Sequence, residues 1–249
     1  MSMQQSYANI LTAVGEDLNR PGLKDTPMRA AKAFSYLTSG YSKTLEEVTN
    51  NASLYIVSLT DDALLQLLPN ITKGKEKALI VHTAGSISID IWNGYAQRFG
   101  VLYPMQTFSK KKETSFQNIP FFIESSSPED TELLKKIAST LSDKVYYATS
   151  QQRCSLHLAA VFTCNFTNHM YALAAELLEK NNLPFDVMIP LIDETAAKVH
   201  LLPPCDAQTG PAARNDEEVM RRHLKMLSDD PATQNIYKLL SDSIISKKK

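Results

Sequence analysis

Between Ser150 and Ala175 the chain concentrates imidazole, thiol, amide and phenol groups: His157, Cys164, Asn165, Asn168, His169 and Tyr171. Counted at about 100° per residue from His157, Cys164 falls near −20°, Asn168 near +20°, Tyr171 near −40° and Ala175 near 0°, so a continuous helix presents them on one face. The opposite face carries Phe162, Phe166, Met170, Leu173 and Leu177, an apolar stripe of the kind that packs into a core. The polar stripe suits either a substrate cleft or an intersubunit or interdomain contact whose groups satisfy one another. Zinc is not expected. Cys154 and Cys164 are ten residues apart, about 15 Å of helix, whereas a tetrahedral site keeps its ligand atoms about 2.0–2.3 Å from one ion. A Cys164–His157 nucleophilic pair fails similarly, with about 10 Å between them along the axis.

Two further stretches bear chemistry. In CDAQTGPAARNDEEVMRRHL (205–224) a Thr209-Gly210-Pro211 turn leads to Arg214, and Asn215 is expected to cap a helix opening with Asp216, Glu217 and Glu218. Arg214 either clamps a carboxylate or phosphate through its fork of donors or pairs structurally with Asp206 or Asp216. In HTAGS (82–86), Gly85 either closes a tight turn or belongs to a ligand rim in which His82, Thr83 and Ser86 line the carboxyl end of a sheet. A phosphate loop is missing: neither GxGxxG nor GxxxxGK followed by Ser or Thr occurs. Glycine supplies only 8 of 249 residues, where roughly 7% is usual.

The elements that position these groups fall into three stretches. Residues 1–50 read as two or three short helices punctuated by Pro21, Gly22 and Pro27, with Thr26 expected as an N-cap. From Leu54 to about residue 150 strand-like runs (LYIVSL, KALIVHT, GVLYPM, PFFIES, KVYYAT) alternate with helical ones at 61–71 and 129–142 and an amphipathic stretch from Ile87 to Arg98. That alternation predicts a mainly parallel sheet covered on both faces. From residue 151 the strands stop. One long helix is expected over 151–182, ended by Asn181, Asn182 and Pro184, and then helices at about 185–201, 216–228 and 231–246.

Composition narrows the function classes. With 26 Lys+Arg against 27 Asp+Glu and 43% hydrophobic residues, the chain is expected to be globular. It is not expected to be a nucleic-acid binder, whose affinity comes from clustered cations facing phosphates. The runs Lys110–Lys112 and Lys247–Lys249 read as a solvated loop and a tail. No stretch approaches the roughly 18–20 apolar residues of a membrane span, and three cysteines without a CxxC pair predict reduced thiols and a cytoplasmic location.

Two resemblances complete the expectations. SLYIVSLTDDAL, ALIVHTAGS, GVLYPMQTF, RCSLHLAAVFTCNFTNHMYALAAELL, LPFDVMIPLIDETAAK and QTGPAARND, over about 54–227, resemble the bacterial Rossmann-like proteins that end in the domain of unknown function 2520. Those are similar to NADP-dependent reductases of the 6-phosphogluconate dehydrogenase type. The resemblance implies an α/β class with an incomplete Rossmann-like sheet (51–150), then a helical dimerisation and substrate domain (151–249). It implies an NADP crevice near Ser58, Leu59, Thr60, His82, Thr83 and Ala84. Tyr103, Pro104, Asn165, Thr209 and Gly210 would stand on the side of a small-molecule substrate, with His157, Asn168 and Arg214 as catalytic residues. Hydride would pass from NADPH to a small carbonyl or imine, Arg214 orienting an anionic group and His157 or Asn168 bonding the reacting atom, in a homodimer. Residues 9–50 instead resemble the N-terminal helices of GTP cyclohydrolase I, with the GEDxxRxGLxDTPxR core at Gly15 to Arg29 and no counterpart of that enzyme's zinc-binding half. Three functions are therefore in play: a reductase-type protein impaired by the absent glycine loop, a non-catalytic dimeric scaffold, and a cyclohydrolase-related fragment.

Overall fold

The β-branched and aromatic runs become strands, and the central ones are covered on both faces. The computed structural model describes residues 2–37, 44–109 and 114–247; the lysines at 110–112 and 248–249 lie outside these. The chain divides into two compact units, Met1–Leu158 and Ala159–Lys249.

The first unit opens with helices α1 (Met3–Ala13) and α2 (Thr26–Leu37). Thr26 is the first residue of α2 and not its cap: the Arg29 N–H reaches the Asp25 carbonyl at 2.9 Å, so helical bonding begins one residue earlier than expected. Then follow β1 (Leu54–Val57), α3 (Asp61–Thr72), β2 (Leu79–His82), β3 (Arg98–Pro104), β4 (Phe121–Ser125), α4 (Pro128–Leu141) and β5 (Val145–Tyr147). The sheet order is β1-β2-β3-β4-β5. All pairs are parallel except β3 with β4. Side chains alternate along each strand: Leu79 and Val81 pack with Leu134 and Ala138 of α4, whereas Ile80 packs with Leu64, Leu68 and Ile71 of α3.

The stretch Ile87–Arg98 is not the amphipathic helix expected of it. Ser88 caps a single 3-10 turn, Ile89–Trp92, which Asn93 and Gly94 end, Gly94 at φ 81°; Arg98 already belongs to β3. Trp92 is fully buried against the α3 face, and Ile87, Ile89 and Ile91 pack beside it. The apolar spacing served burial, and a left-handed glycine overrode helix continuation.

Among the described residues, nothing pairs with one edge of the sheet. Leu79 and Thr83 donate to the carbonyls of Ser53 and Val57, so alternation turns the N–H and C=O of Leu54 and Ile56 away from β2. Ile56 is 51% exposed.

In the second unit the expected single helix is broken in character. Across both units run α5 (Ser150–Ala160), a π-helical turn (Val161–Phe166) and α6 (Thr167–Glu179). A π turn closes i→i+5 bonds and takes up an extra residue, so counting 100° per residue does not carry across it and the single polar face expected of His157, Cys164, Asn168 and Tyr171 does not follow. The opposite stripe is corrected too: Phe162 and Phe166 are not core but 61% and 50% exposed, edge to face with centroids 5.1 Å apart. The remaining helices are α7 (Ile189–Lys198), α8 (Glu217–Met226) and α9 (Pro231–Lys247). Asp216 caps α8, accepting from the Val219 N–H; Asn215, expected in that role, is left-handed at φ 55°, a conformation asparagine tolerates.

Candidate functional site

In open α/β sheets ligands bind beyond the carboxyl ends of the strands, and there the first unit gathers its polar groups. His82 ends β2 and is fully buried. Its Nδ1 accepts from the Ala84 N–H at 3.2 Å, which leaves the proton of the neutral ring on Nε2. Burial, and then the Arg153 charge, bring its pKa down to about 4 against the opposing pull of Asp61 and Glu124. His82 is thus a neutral structural imidazole at ordinary pH. The loop beyond it is fastened at each step: Arg153 binds the Ala84 and Ile87 carbonyls, Cys154 Sγ lies 3.2 Å from the Ser86 carbonyl, and the Ser86 hydroxyl donates to Asp61.

Gly85 sits beneath Tyr103 of β3 and His157 of α5. A Cβ at this position would lie 2.7 Å from Tyr103 Cζ and 2.9 Å from His157 Nδ1, so only glycine leaves space for the pair. Tyr103 Oη stands 3.5 Å from His157 Nδ1, at the outer limit of a hydrogen bond. Burial holds the Tyr103 phenol above its ordinary pKa, with Arg153 opposing; a protonated phenol is a proton donor, and the imidazole behind it can resupply it.

Two residues that sequence reasoning missed hold this rim in place. The Arg153 side chain is 1% exposed and meets Glu124 Oε2 at 2.6 Å. Glu124, at the end of β4, also accepts from the Ser150 N–H at 2.9 Å and from its hydroxyl at 2.7 Å. Strand β4, the 84–87 loop and the start of α5 thus share one buried ion pair. A signal was available: Arg153 is the single Lys, Arg, Asp or Glu between Ser150 and Ala175, and a lone charge in an otherwise neutral helical stretch asks for a partner.

Of the residues singled out in the sequence, the first unit brings His82, Thr83, Ala84, Tyr103 and His157 to this rim, with Pro104 ending β3. Ser58, Leu59 and Thr60 are exposed at the end of β1, where the Thr83 N–H reaches the Val57 carbonyl at 3.2 Å. The second unit holds the others: Asn165 within the π turn and Asn168 at the start of α6, Thr209 on an apolar groove with Met170, Leu173 and Tyr237, and Gly210 at φ 101°. Arg214, in the 3-10 turn Ala212–Arg214, is exposed and pairs with neither Asp206 nor Asp216; among the described residues it makes no ion pair.

The domain of unknown function (DUF2520) matches residues 119–244, half of the chain. The chain belongs to this family. A crystal structure of a provisionally named NADP oxidoreductase from Bacteroides fragilis is 65% identical, covering 82% of this chain and 80% of that one at a TM-score of 0.79. The DUF2520 fold is shared more distantly by a Thermotoga maritima protein (20% identity, 79% of each chain, TM-score 0.67). It is shared also by an imine reductase from Myxococcus stipitatus in complex with NADP+ (16%, 86% and 81%, TM-score 0.57). Residues 3–65 match GTP cyclohydrolase I. The cyclohydrolase of Pseudoalteromonas translucida is 62% identical over 63 residues, 25% of this chain and 33% of that protein. The chain spans about a third of that relative, and the match runs past residue 50 through β1 into the first turn of α3.

The fold therefore implies a nicotinamide dinucleotide, whose diphosphate needs open backbone N–H groups at a helix N-terminus. The residues described do not fit it. Of the three junctions at which a strand leads into an α-helix, two carry Asp61 and Asp62 in the first turn of α3 and Glu129 and Asp130 in that of α4, and at the third, into α5, the Thr149 and Ser150 N–H groups are already given to Gln152 and Glu124. Carboxylates there satisfy the helix dipole and repel phosphate. None of the three contains glycine, and the space over Gly85 is filled by the chain's own side chains.

Proposed function

We propose that this chain carries the substrate side of an oxidoreductase site: a rim that binds a small carbonyl or imine compound and delivers a proton to it, without holding NADP by itself. The observation that carries the reading is the Tyr103–His157 pair packed over Gly85 at the carboxyl end of the sheet. Tyr103 would donate to the oxygen or nitrogen of the bound group and His157 would return the proton. The loop fixed by Arg153 would shield that exchange from water.

The test is a titration of the full chain with a panel of 2-oxoacids and cyclic imines, followed by NMR, beside a calorimetric titration with NADPH. Perturbation of the Tyr103 and His157 signals, lost in Tyr103→Phe, is the result expected, together with no saturable NADPH uptake at millimolar concentration. Micromolar NADPH binding would overturn the reading, as would a panel that leaves both residues unmoved.

A dimeric scaffold is the second reading, favoured by the apolar surface of the second unit. Leu191, Leu201 and Met226 are 62%, 84% and 74% exposed, and large apolar side chains left in water mark an interaction site where they form a patch. A homodimer formed through these helices is compatible with the first reading.

A further inference from the structure

We infer that the amino ends of β1, β2 and β3 form a second ligand site, for a small compound with terminal phosphate groups, built by Lys73, Lys75, Lys77 and Asn50. It is separate from the rim and stands whether or not the rim is an oxidoreductase site. Arg98, in its wall, begins β3, and Tyr103 lies five residues further along that strand, about 17 Å away.

Two cavities adjoin here, of about 340 and 400 Å³, the size that small-molecule sites use. Asn50, Gly74 and Lys75 are their common wall, while Lys73 lines the first and Lys77 the second. The link from α3 to β2 brings the lysines of the run KGKEK (73–77) to these cavities. Lys73 ends α3, Gly74 turns the chain at φ 74°, and the Lys75 N–H closes on the Thr72 carbonyl at 3.0 Å. The Asn50 amide lies over Gly74, its Nδ2 3.2 Å from the place a Cβ would take, and adds a neutral donor.

Lys75 points to an anion. It is only 6% exposed, and among the described residues no carboxylate pairs with it. Its ammonium has one long bond, 3.4 Å to the Lys73 carbonyl, and stands 5.4 Å from the Tyr55 ring centroid. The carboxyl end of α3 and the ring face offset part of the cost of burying a charge, but two of the three donors are left for a ligand. Lys73 and Lys77 are exposed and make no ion pair among the described residues. The other charges in the walls are spoken for: Glu76 accepts from the Gly74 N–H at 3.1 Å, and Arg98 is neutralised by Asp130. Three ammonium groups thus face one carboxylate in a chain of net charge −1. A terminal phosphate answers them with up to two charges and three acceptor oxygens. The internal diphosphate of a dinucleotide carries one charge per phosphorus and is the poorer match.

The full chain is titrated with inorganic pyrophosphate at low ionic strength, by calorimetry and by NMR. Saturable binding with a Kd of about 0.1 mM or tighter is expected, with shifts at the Asn50, Gly74 and Lys75 amides and none at Tyr103 or His157. Lys75→Met should weaken binding by about ten-fold or more, the value of one charge-assisted hydrogen bond. Lys73→Gln and Lys77→Gln, at exposed positions, should each weaken it by about three- to five-fold, whereas Lys136→Gln, exposed on α4, should change nothing. If Lys75→Met loses the native Trp92 fluorescence, the Lys73→Gln, Lys77→Gln double variant decides. No saturable binding at about 10 mM would overturn the inference, as would equal weakening in Lys136→Gln. Shifts centred on the rim would overturn the location, and citrate bound as tightly as pyrophosphate would overturn the choice of phosphate.

Discussion

Removing the Arg153 charge is expected to be the most damaging single change in the first unit. The guanidinium is 1% exposed and Glu124 is 19% exposed. Arg153→Met keeps much of the volume but leaves Glu124 with the Ser150 N–H and hydroxyl as its remaining donors, and strips the Ala84 and Ile87 carbonyls of theirs. Breaking a buried pair from one side costs about 3–5 kcal/mol, a large share of the about 5–15 kcal/mol that holds a domain together. Urea unfolding followed by fluorescence suits the measurement, because the sole tryptophan, Trp92, is buried in this unit. With a slope of about 2 kcal/mol per M, the midpoint should fall by about 1.5–2.5 M. Arg153→Met combined with Glu124→Gln should recover part of the loss, since no charge is left uncompensated. A single variant within about 0.5 kcal/mol of the parent, or a double variant as unstable as the sum of the singles, would refute the assignment of Arg153 as the fastening of the rim.

Gly85→Ala should cost about 1–3 kcal/mol through the clash with Tyr103 and His157, read as a lower urea midpoint and displaced NMR signals for both rings. For His82 the folded pKa of about 4 lies below the unfolded value of 6.5, so the unfolded chain takes up the proton first. Stability is unaffected above about pH 6.5 and falls toward pH 4, by up to about 3 kcal/mol; His82→Gln should flatten urea midpoints across that window. Phe162→Glu with Phe166→Glu should convert a dimer to monomer in light scattering if the exposed apolar helices are the interface. An unchanged mass would point the interface elsewhere.

The strands were legible because a sheet covered on both faces demands continuous apolar runs, and LYIV, LIVH and FFIES are such runs with little to compete. Of the rim residues, His82 drew notice because it closes a strand-like run, His157 because of its place on a helical stretch, and Tyr103 only through the family resemblance. Arg153 and Glu124 were not, since a pairing between residues so far apart in sequence exists only once β4 and α5 meet. Nor was the π turn: VFTCNF has no breaker, and the extra residue changes the winding without changing composition. The cap at residue 216 was missed because Asn and Asp both cap well, and the choice fell to which of them adopts the left-handed backbone.

The unreversed strand order also bears on how the molecule assembles. In a complete doubly wound sheet the chain must return to the centre after building one half, closing a long loop before distant strands can pair. Here each strand joins the one made just before it, so contacts are local in sequence and the loops to be closed are short. Such topologies fold fast relative to their size. The half-sheet is thus a kinetic unit in its own right, able to acquire its core strand by strand during synthesis, with β1 laid down first and left as the outermost rung.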